Sequence, residues 1–444
     1  MKILFNCLPP QRIDIPSSGL SYLKGFLKEK KIQSEIIYWN LLMEDILMNY
    51  IPFTNENDFI DANTNTVHRI LPFIDILNNY NYINNNDKLI WNHLQNINPS
   101  LKYINNNAYK ELIDDCKARL DELICNTLEK VDLSNYNLIG ISAKYEQWIP
   151  GLVLLKYFKE KAPHIRTIIG GIGNKESAEE IMKSSTLIDF AIWGEAEFPL
   201  MELFNTLLNN SEEYSHIPSL IYREKGIPVT SKRQLTSFVD LNSDTYPDYE
   251  DFMRDIVGNY NYNQIILPLV TKRGCHWSKC KFCIEFLGYK YRERIPENTI
   301  REIEYFTKKY GIFNYNLSEP DTVGKNKDEF LKFIELLINL SKKKQVNYSI
   351  ECDLIHFNFT EDIIKKMAFA GFKRMLIGYE SNIDRTNEIL RKKTDFADNI
   401  ITLKFALKYK ILIVAAFIMD LPEETKSDIY ENLNNLHYQG NRKK

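Results

Sequence analysis

The sequence contains no long hydrophobic run, and this absence excludes a membrane-spanning protein. No stretch of about 18 consecutive apolar residues occurs, although 44% of the 444 residues are hydrophobic. The amino terminus has one Lys and only a brief apolar run before Pro9-Pro10, so it predicts a first strand and not a signal peptide. We therefore expect no membrane span and a cytoplasmic location.

A strong charge of either sign is also lacking. Lys and Arg total 56 and Asp and Glu total 59, which leaves a net charge of −3. This balance gives no general attraction to nucleic acid or to an anionic membrane. The composition is that of a globular protein, and 444 residues exceed one ordinary core, so we expect two domains.

The seven cysteines do not indicate a disulfide framework, because their number is odd and their distribution is uneven. Three of them, Cys275, Cys280 and Cys283, fall within nine residues. The other four are scattered along the chain: Cys7, Cys116, Cys125 and Cys352. Such clustering is typical of a metal site.

Short apolar strands alternate with helices over residues 1–210, which we predict to be one domain. The pattern begins with strand Lys2–Leu8, helix Leu20–Lys30 and strand Ser34–Tyr38, and it resumes with Leu138–Ser142. Between them, over about 41–130, Asn-rich runs separate apolar helical stretches, which predicts a mostly helical insertion. The alternation predicts an α/β fold, a Rossmann-like doubly wound domain with its binding edge at the carboxyl ends of the strands.

A second βα series follows residues 211–262, which we predict to be a connector. Its five strands are predicted near 265–271, 314–317, 346–350, 374–378 and 412–418. Repeated βα units of this kind are typical of a (βα) barrel. The chain stops at Lys444 before a sixth unit, so we expect a partial barrel over 263–444, truncated at the C-terminus.

The clustered cysteines follow directly on the first strand of this second series. Three thiolates on one tight loop can bind three irons of a [4Fe–4S] cluster and leave the fourth iron open. An open iron can bind the amino and carboxylate groups of S-adenosylmethionine (SAM) and pass an electron to its sulfonium, which yields a carbon radical. A zinc site with His276 or Cys352 as fourth ligand is the alternative, but zinc motifs usually come as two paired half-sites.

The cysteine segment resembles the radical SAM superfamily, whose usual spacing is Cys-x3-Cys-x2-Cys with an aromatic residue before the last Cys. Phe282 matches that aromatic residue, which lies beside the adenine in the family. Four residues separate Cys275 and Cys280, one more than usual. The resemblance implies that Cys275, Cys280 and Cys283 are the catalytic, cluster-binding residues and that the cofactors are a [4Fe–4S] cluster and SAM.

The resemblance continues beyond the cysteines. Glu380 and Ser381 look like the Glu and Ser of the family's Gly-x-Glu-Ser, which contact SAM. Tyr291–Pro296 is similar to the run before the first barrel helix, and Asn316–Asp321 lies where the family places polar residues. Asp420–Thr425 resembles the Gly-x-Pro-Gly-Glu-Thr turn, although Asp and Glu replace both of its glycines.

The first half resembles the cobalamin-binding domain that precedes the barrel in one branch of radical SAM enzymes. The matching stretches are Pro16–Leu20, Gly140–Ser142, Ile169–Gly171, Trp193–Glu197 and Tyr246–Phe252. The resemblance implies these cofactor contacts: Pro16, Ser17, Gly19, Leu20, Ser142, Gly170, Gly171, Gly194 and Glu195. Glycines at strand ends let the backbone approach a large flat ligand. No His occurs in residues 8–20, so none there would supply the lower ligand of cobalamin.

These resemblances favour a cobalamin-dependent radical SAM methyltransferase that acts on an unactivated carbon of a peptide or natural product. They also imply a reductant protein such as flavodoxin or ferredoxin. The stretch Pro16–Asn40 looks most like branches that modify ribosomally synthesised peptides (RiPP maturation), which would add a precursor peptide as partner.

Three other interpretations stay open. One is a radical rearrangement enzyme that is cobalamin-dependent or carries a relict domain. Another is a tRNA methylthiotransferase-like enzyme, whose three further, regularly spaced cysteines are not matched by Cys7, Cys116 and Cys125. The last is a non-catalytic metal-binding or cobalamin-binding module.

Overall fold

A computed structural model describes residues 2–49, 62–78, 92, 107–256, 264–284, 287–354, 359–419, 421 and 423–440. Its internal contacts divide the chain into two units. The first comprises residues 1–239 with 245–260, and the second comprises residues 240–244 with 261–444. Within the described residues, no helix is both long and apolar enough to cross a membrane.

The first unit is built on a seven-stranded sheet with the order β2-β1-β3-β4-β5-β6-β7. Its strands are β1 Lys2–Cys7, β2 Gln33–Tyr38, β3 Leu138–Ser142, β4 Arg166–Ile172, β5 Phe190–Trp193, β6 Leu220–Glu224 and β7 Ile227–Thr230. Strands β1 to β5 pair in parallel, whereas β6 and β7 add antiparallel pairs at one side. The reversal of strand order at β1 and β3 marks the switch point where ligands bind in such sheets.

Helices join these strands and cover the sheet. They are α1 Ser18–Glu29, α2 Trp39–Leu42, α3 Glu44–Asn49, α4 Ala62–Asn78, α5 Asn107–Glu129, α6 Trp148–Lys161, α7 Lys175–Ser184, α8 Glu197–Leu208 and α9 Glu250–Ile256. The apolar residues of β3 are buried on both faces, as parallel sheets require. Strands β6 and β7 and helix α9 lie in residues 211–262, so much of the predicted connector contributes elements to the first unit.

The inserted helices α4 and α5 share the core of the first unit. Phe73 and Ile74 of α4, and Leu120 and Ile124 of α5, are fully or almost fully buried in the hydrophobic cluster that includes α6. This burial explains why the insertion is helical, since each helix has one apolar face to cover. The Asn-rich runs at 84–86 and 105–106 lie outside the described residues.

The second unit contains a five-stranded parallel sheet with the order β8-β11-β12-β13-β14. Its strands are β8 Leu267–Leu269, β11 Asn314–Leu317, β12 Ser349–Leu354, β13 Phe372–Glu380 and β14 Leu412–Phe417, and a two-stranded ribbon joins β9 Lys272–Arg273 to β10 Arg292–Glu293. The helices are α10 Pro296–Tyr310, α11 Lys327–Lys344, α12 Glu361–Ala370, α13 Asp384–Ile389, α14 Phe396–Lys408 and α15 Lys426–Gly440.

Sequential parallel strands joined by helices are the arrangement of a (βα) barrel. One face of each inner strand is apolar and buried, as Tyr315, Ile350 and Met375 show. The alternate residues of β12 are polar and only partly buried, and they lie on the opposite face. The fold predicted from the sequence, a Rossmann-like sheet followed by a second parallel sheet, is confirmed.

Candidate functional site

The cysteine loop begins where the ribbon strand β9 ends. Gly274 has φ +71°, and an added Cβ would lie 3.0 Å from the backbone nitrogen of Tyr291, so only glycine fits this turn. The loop is then fastened to the segment after α13. The Lys281 amide donates to the Leu390 carbonyl at 3.0 Å, and the Trp277 indole donates to the Arg391 carbonyl at 2.8 Å.

The three cysteines of this loop are not joined in disulfides, and each is partly buried. Burial raises the pKa of the Cys280 thiol, while the ammonium of Lys392 acts in the opposite direction. Three cysteines on one loop, with a cation beside one of them, are a donor set that fits an iron–sulfur cluster. Within the described residues, no three His, Cys, Asp or Glu side chains are arranged to hold a single metal ion.

Glu380 ends strand β13 in an unusual conformation. Its φ is +59°, which a side chain with a Cβ adopts at a cost of about 1 kcal/mol. Its Oε1 accepts a hydrogen bond from Lys392 Nζ at 2.8 Å, and both side chains are less than a tenth exposed. An added Cβ on Gly378 would lie 2.3 Å from that oxygen and 2.6 Å from that nitrogen. The glycine therefore makes the room that the buried ion pair occupies.

Ser381 and Phe282 lie in different surroundings. Ser381 is fully buried, and its Oγ accepts a hydrogen bond from the amide of Ile383 at 3.2 Å. Its carbonyl accepts one from the side chain of Asn387 at 2.8 Å. Ser381 thus shapes the turn after β13. Phe282 is 39% exposed on the cysteine loop, so part of its side chain is accessible to a ligand.

The end of β11 is tied to the residue that precedes the ribbon. Glu319 is almost fully buried and accepts hydrogen bonds from the amide and the hydroxyl of Thr271, at 3.1 and 2.6 Å. Burial raises the pKa of Glu319, and Lys272 acts against that rise. Beside them, His276 Nδ1 lies 3.0 Å from the carboxylate of Asp321. The predicted polar stretch at 316–321 therefore orients the entry into the cysteine loop.

A polar row crosses the partly buried face of the second sheet. Asn316, Glu351 and Arg374 are partners in the register of three adjacent strands, and Arg374 lies 3.6 Å from Glu351. Two residues after Glu351, on the same face of β12, is Asp353. Burial, opposed by Arg374, raises the pKa of Asp353 to about 6. This face can offer a polar substrate both a cation and carboxylates.

In the first unit, the predicted cofactor residues lie after parallel strands that are neighbours in the sheet. We call the loops 8–17, 143–147, 173–174 and 194–196, together with the first turn of α1 (18–20) and the last residues of β1, β3, β4 and β5, the glycine edge. Gln147 of the second loop donates to Gln11 of the first at 3.4 Å, across the switch point. The Gly194 amide donates to the Ile172 carbonyl at 2.7 Å, which joins the ends of β4 and β5.

The glycines of this edge are of two kinds: some face open space, and others have a positive φ. An added Cβ on Gly170 or on Gly19 would meet no atom within 4 Å. Gly171 differs, because its φ is +76° and an added Cβ would lie 3.1 Å from Ser142 Oγ. Gly194 also has a positive φ of +72°. Open space in front of Gly19 and Gly170 is a surface that a flat ligand can approach, so the edge fits the cobalamin expectation.

The remaining residues predicted for this edge have structural partners. Ser17 caps helix α1 by accepting from the Leu20 amide at 3.5 Å, and Pro16 and Leu20 are buried. Ser142 accepts from the Lys144 amide at 3.2 Å. Glu195 is 4% exposed. These contacts fix the conformations of the loops and therefore the positions of the glycines.

The cysteines outside the loop are not gathered at one place. Cys7 is buried in β1, whereas Cys116 and Cys125 lie nine residues apart on α5, one buried and one exposed. Nine residues correspond to about half a turn beyond two full turns, so these two thiols face opposite ways. Cys352 is buried in β12, on the face away from Asp353. The arrangement does not resemble a second cluster site.

Sequence reasoning missed Lys392 and Asp353, and it identified Gly378 only as the glycine of the Gly-x-Glu-Ser match, without its role in making room for the ion pair. Lys392 follows Glu380 by twelve residues, beyond helix α13, and no local pattern connects the two. Asp353 lies outside the third barrel strand predicted at 346–350, whereas the observed strand β12 runs from Ser349 to Leu354 and includes it. The alternation of Ile350, Cys352 and Leu354 was the signal that could have extended the strand. The Asp420–Thr425 turn lies partly outside the described residues, because Asp420 and Pro422 are not described.

Comparison with known proteins gives matches for both halves. Residues 269–436 match the family model of the Radical SAM superfamily. The chain is 24% identical over 341 residues to the anaerobic magnesium-protoporphyrin IX monomethyl ester cyclase of Cereibacter sphaeroides, covering 69% of this chain and 54% of that protein. It is 24% identical over 296 residues to an uncharacterized methyltransferase of Pyrococcus horikoshii, covering 66% of this chain and 62% of that protein.

The fold is similar to that of the cobalamin-dependent S-adenosylmethionine radical enzyme OxsB, solved with aqua-cobalamin bound. The TM-score is 0.63 at 17% identity, over 98% of this chain and 51% of that one. The chain thus spans between half and two thirds of the length of these proteins. A [4Fe–4S] cluster and SAM are the cofactors that the superfamily implies, and this structural neighbour is cobalamin-dependent.

Proposed function

We propose that this chain is a cobalamin-dependent methyltransferase of an unactivated carbon. The match of residues 269–436 supports radical SAM chemistry, and the similarity to cobalamin-binding members of that superfamily supports the dependence on cobalamin. The observation that carries the proposal is the cysteine loop, which is fastened to the segment 390–392 beside the buried Glu380–Lys392 pair. The open glycine edge supports the cobalamin part.

In this proposal Cys275, Cys280 and Cys283 hold the cluster by their thiolates. When bound, the cluster would supply the electron for the reductive cleavage of SAM, which is the source of the radical chemistry at the substrate C–H bond. Phe282 offers its exposed ring to the adenine. Glu380 and Lys392 carry opposite charges at one place, which matches the ammonium and the carboxylate of the methionine part of SAM.

The glycine edge is the proposed cobalamin site. Cobalamin would supply the methyl group that the methylation requires. The open positions Gly19 and Gly170 would admit its flat ring system, while Ser17 and Ser142 hold the loops in shape. Residues 8–20 contain no His, so this loop would supply no imidazole ligand to the cofactor.

The direct test is anaerobic reconstitution with iron, sulfide and hydroxocobalamin, followed by incubation with SAM and dithionite. We expect a [4Fe–4S] cluster, about one retained cobalamin per chain, and 5′-deoxyadenosine as product. Zinc in place of iron would instead support a non-catalytic metal-binding module. A loaded cluster with no retained cobalamin would indicate a relict first domain.

A second candidate is a radical rearrangement or ring closure, and the similarity to the cyclase favours it. The two activities differ in their products. A methyltransferase consumes SAM to S-adenosylhomocysteine as well as to 5′-deoxyadenosine, whereas a rearrangement yields no S-adenosylhomocysteine. Measuring both products with candidate substrates separates them. A short precursor peptide encoded beside this chain is the first substrate to test for the methyltransferase.

A further inference from the structure

The neighbourhood of the cysteine loop is strongly basic, although the chain as a whole has a net charge of −3. Residues 272–294 contain seven Lys and Arg against two Glu, and Arg391, Lys392 and Lys393 form a second basic segment. Such a local excess in a chain of opposite overall charge produces a positive patch. Its position beside the cysteines connects it with the cluster site.

Hydrogen bonds from the cysteine loop bring the two basic segments together. The amide of Lys281 and the indole of Trp277 both donate to carbonyls of residues 390 and 391. Lys279 and Lys393, one from each segment, place their ammonium groups over the Trp277 ring, at 4.7 and 5.7 Å from its centre. Cation–π contacts of this kind hold long side chains in place without neutralising them.

We define the basic patch as Lys279, Lys281, Arg391 and Lys393, all of which are exposed. Within the described residues, none of the four forms an ion pair with an acidic side chain. Lys392 differs, since its ammonium is buried against Glu380. The four exposed cations are therefore available to an external partner.

Exposed apolar side chains lie on the same loop. Ile284 and Leu287 follow the last cysteine and are 52% and 55% exposed. An apolar area beside charged groups is the usual composition of a protein–protein interface. A nucleic acid would need a longer basic track, and the overall negative charge of the chain opposes one.

We infer that the basic patch is the docking surface for a small acidic electron-carrier protein. The inference rests on the proposed function, because the cluster must receive an electron from outside the chain. Charge complementarity speeds encounter and orients the partner, and docking at this loop brings the donor next to the cysteines. In each encounter the donor loses one electron and the cluster site gains it, and no atom passes between the two proteins.

The test compares two reductants in the reconstituted full chain. Flavodoxin, reduced by its NADPH-dependent reductase, requires docking, whereas dithionite does not. We expect K279E/K393E to raise the KM for flavodoxin in 5′-deoxyadenosine formation by about tenfold, since two attractive charges become repulsive. The wild-type KM should also rise with salt. The rate with dithionite should be the same in both proteins.

The matched control is K365E/K404E, which reverses two exposed lysines on the outer helices α12 and α14 of the same unit. It should leave the KM for flavodoxin unchanged. An unchanged KM in K279E/K393E, or an equal effect of both double variants, would overturn the docking surface. An equal loss with dithionite would also overturn it, by assigning the lysines to loop structure. If the wild-type protein forms no 5′-deoxyadenosine with dithionite, the proposed function itself fails.

Discussion

The two sheets both present their candidate residues at the carboxyl ends of parallel strands, but they do so by opposite means. In the second unit the site is made of reactive and charged side chains, three thiols and the buried Glu380–Lys392 pair. In the first unit it is made by leaving side chains out, at Gly19 and Gly170. A reactive side chain indicates its ligand by its own chemistry. An open glycine surface indicates only that something large can approach.

The two sites also differ in how much folding free energy they cost. The second unit buries an ion pair beside a residue with φ +59°, and such features persist only when the surrounding structure enforces them. At the glycine edge, the open space in front of Gly19 and Gly170 costs little folding free energy. Substitutions should therefore affect ligand and stability together in the second unit, and ligand alone at the open glycines of the first.

The largest effect is expected from the cysteines. Replacing Cys275, Cys280 and Cys283 by Ala removes every thiolate of the loop, so the variant should hold no [4Fe–4S] cluster. Iron and sulfide per chain after anaerobic reconstitution measure this. The Cys125→Ala variant, which changes an exposed cysteine on α5, is the matched control and should keep the full cluster. Wild-type iron and sulfide in the triple variant would contradict the assignment.

The next effect concerns the glycine edge. Gly170→Val places a branched side chain in open space without a positive φ, so the fold should stay intact while cobalamin retention after gel filtration is lost. Gly170 is a better test than Gly171, where φ +76° would strain any side chain. Gly140→Ala is the contrasting variant, because its Cβ would lie 2.7 Å from Phe5. It should lower Tm.

Two results at this edge would weaken the comparison between the units. One is full cobalamin retention by Gly170→Val, which would show that the ligand does not occupy the space in front of β4. The other is a fall in Tm in that variant equal to the fall in Gly140→Ala. The second result would show that the open glycines are structural and not a ligand surface.

A smaller effect is expected from the ion pair. Glu380→Gln removes the charge that we propose for the ammonium of SAM and leaves Lys392 buried without its partner. SAM affinity should fall by roughly tenfold, with a loss of stability, because a buried unpaired charge is costly. Gly378→Ala should do the same by displacing both side chains. Equilibrium binding of SAM to the reconstituted protein, with Tm in parallel, measures this.

For the ion pair, the double variant Glu380→Gln with Lys392→Met separates the two roles. It removes both charges, so stability should recover while SAM affinity stays low. Recovery of both would show that Glu380 acts only on the structure. Loss of stability with normal affinity in the single variant would lead to the same conclusion.

The smallest effect is a pH dependence of stability at Asp353. Its pKa is raised from 3.8 to about 6 in the folded protein, so between these values the folded state keeps a proton that the unfolded state has lost. Stability therefore falls as pH rises through this window and stays lower above it. Asp353→Asn should stabilise the protein at pH 7.5 by up to about 3 kcal/mol, and the gain should vanish near pH 4.

Thermal unfolding at several pH values measures this gain. The exposed Glu335 on α11 supplies the control, because Glu335→Gln should leave the Tm unchanged throughout. An equal Tm for wild type and Asp353→Asn at pH 7.5 would mean that the carboxylate is well solvated. The polar row would then be an open surface instead of a partly enclosed one.

The sequence by itself determined the fold class and the place of the cysteine site. Strand alternation and βα order are local patterns, and so is the spacing of Cys275, Cys280 and Cys283. A pattern that lies within one element or one loop needs no knowledge of what packs against it. The same reasoning located the loops at the carboxyl ends of the first sheet.

Only the tertiary structure decided which side chains meet. It paired Glu380 with Lys392 across helix α13, showed that Gly378 makes room for them, and turned Asp353 to the same face as Arg374. It also added β6 and β7 to the first sheet. These contacts depend on strand register and on how loops return to one another. Since register is set by packing across the whole sheet, no short stretch of sequence encodes it.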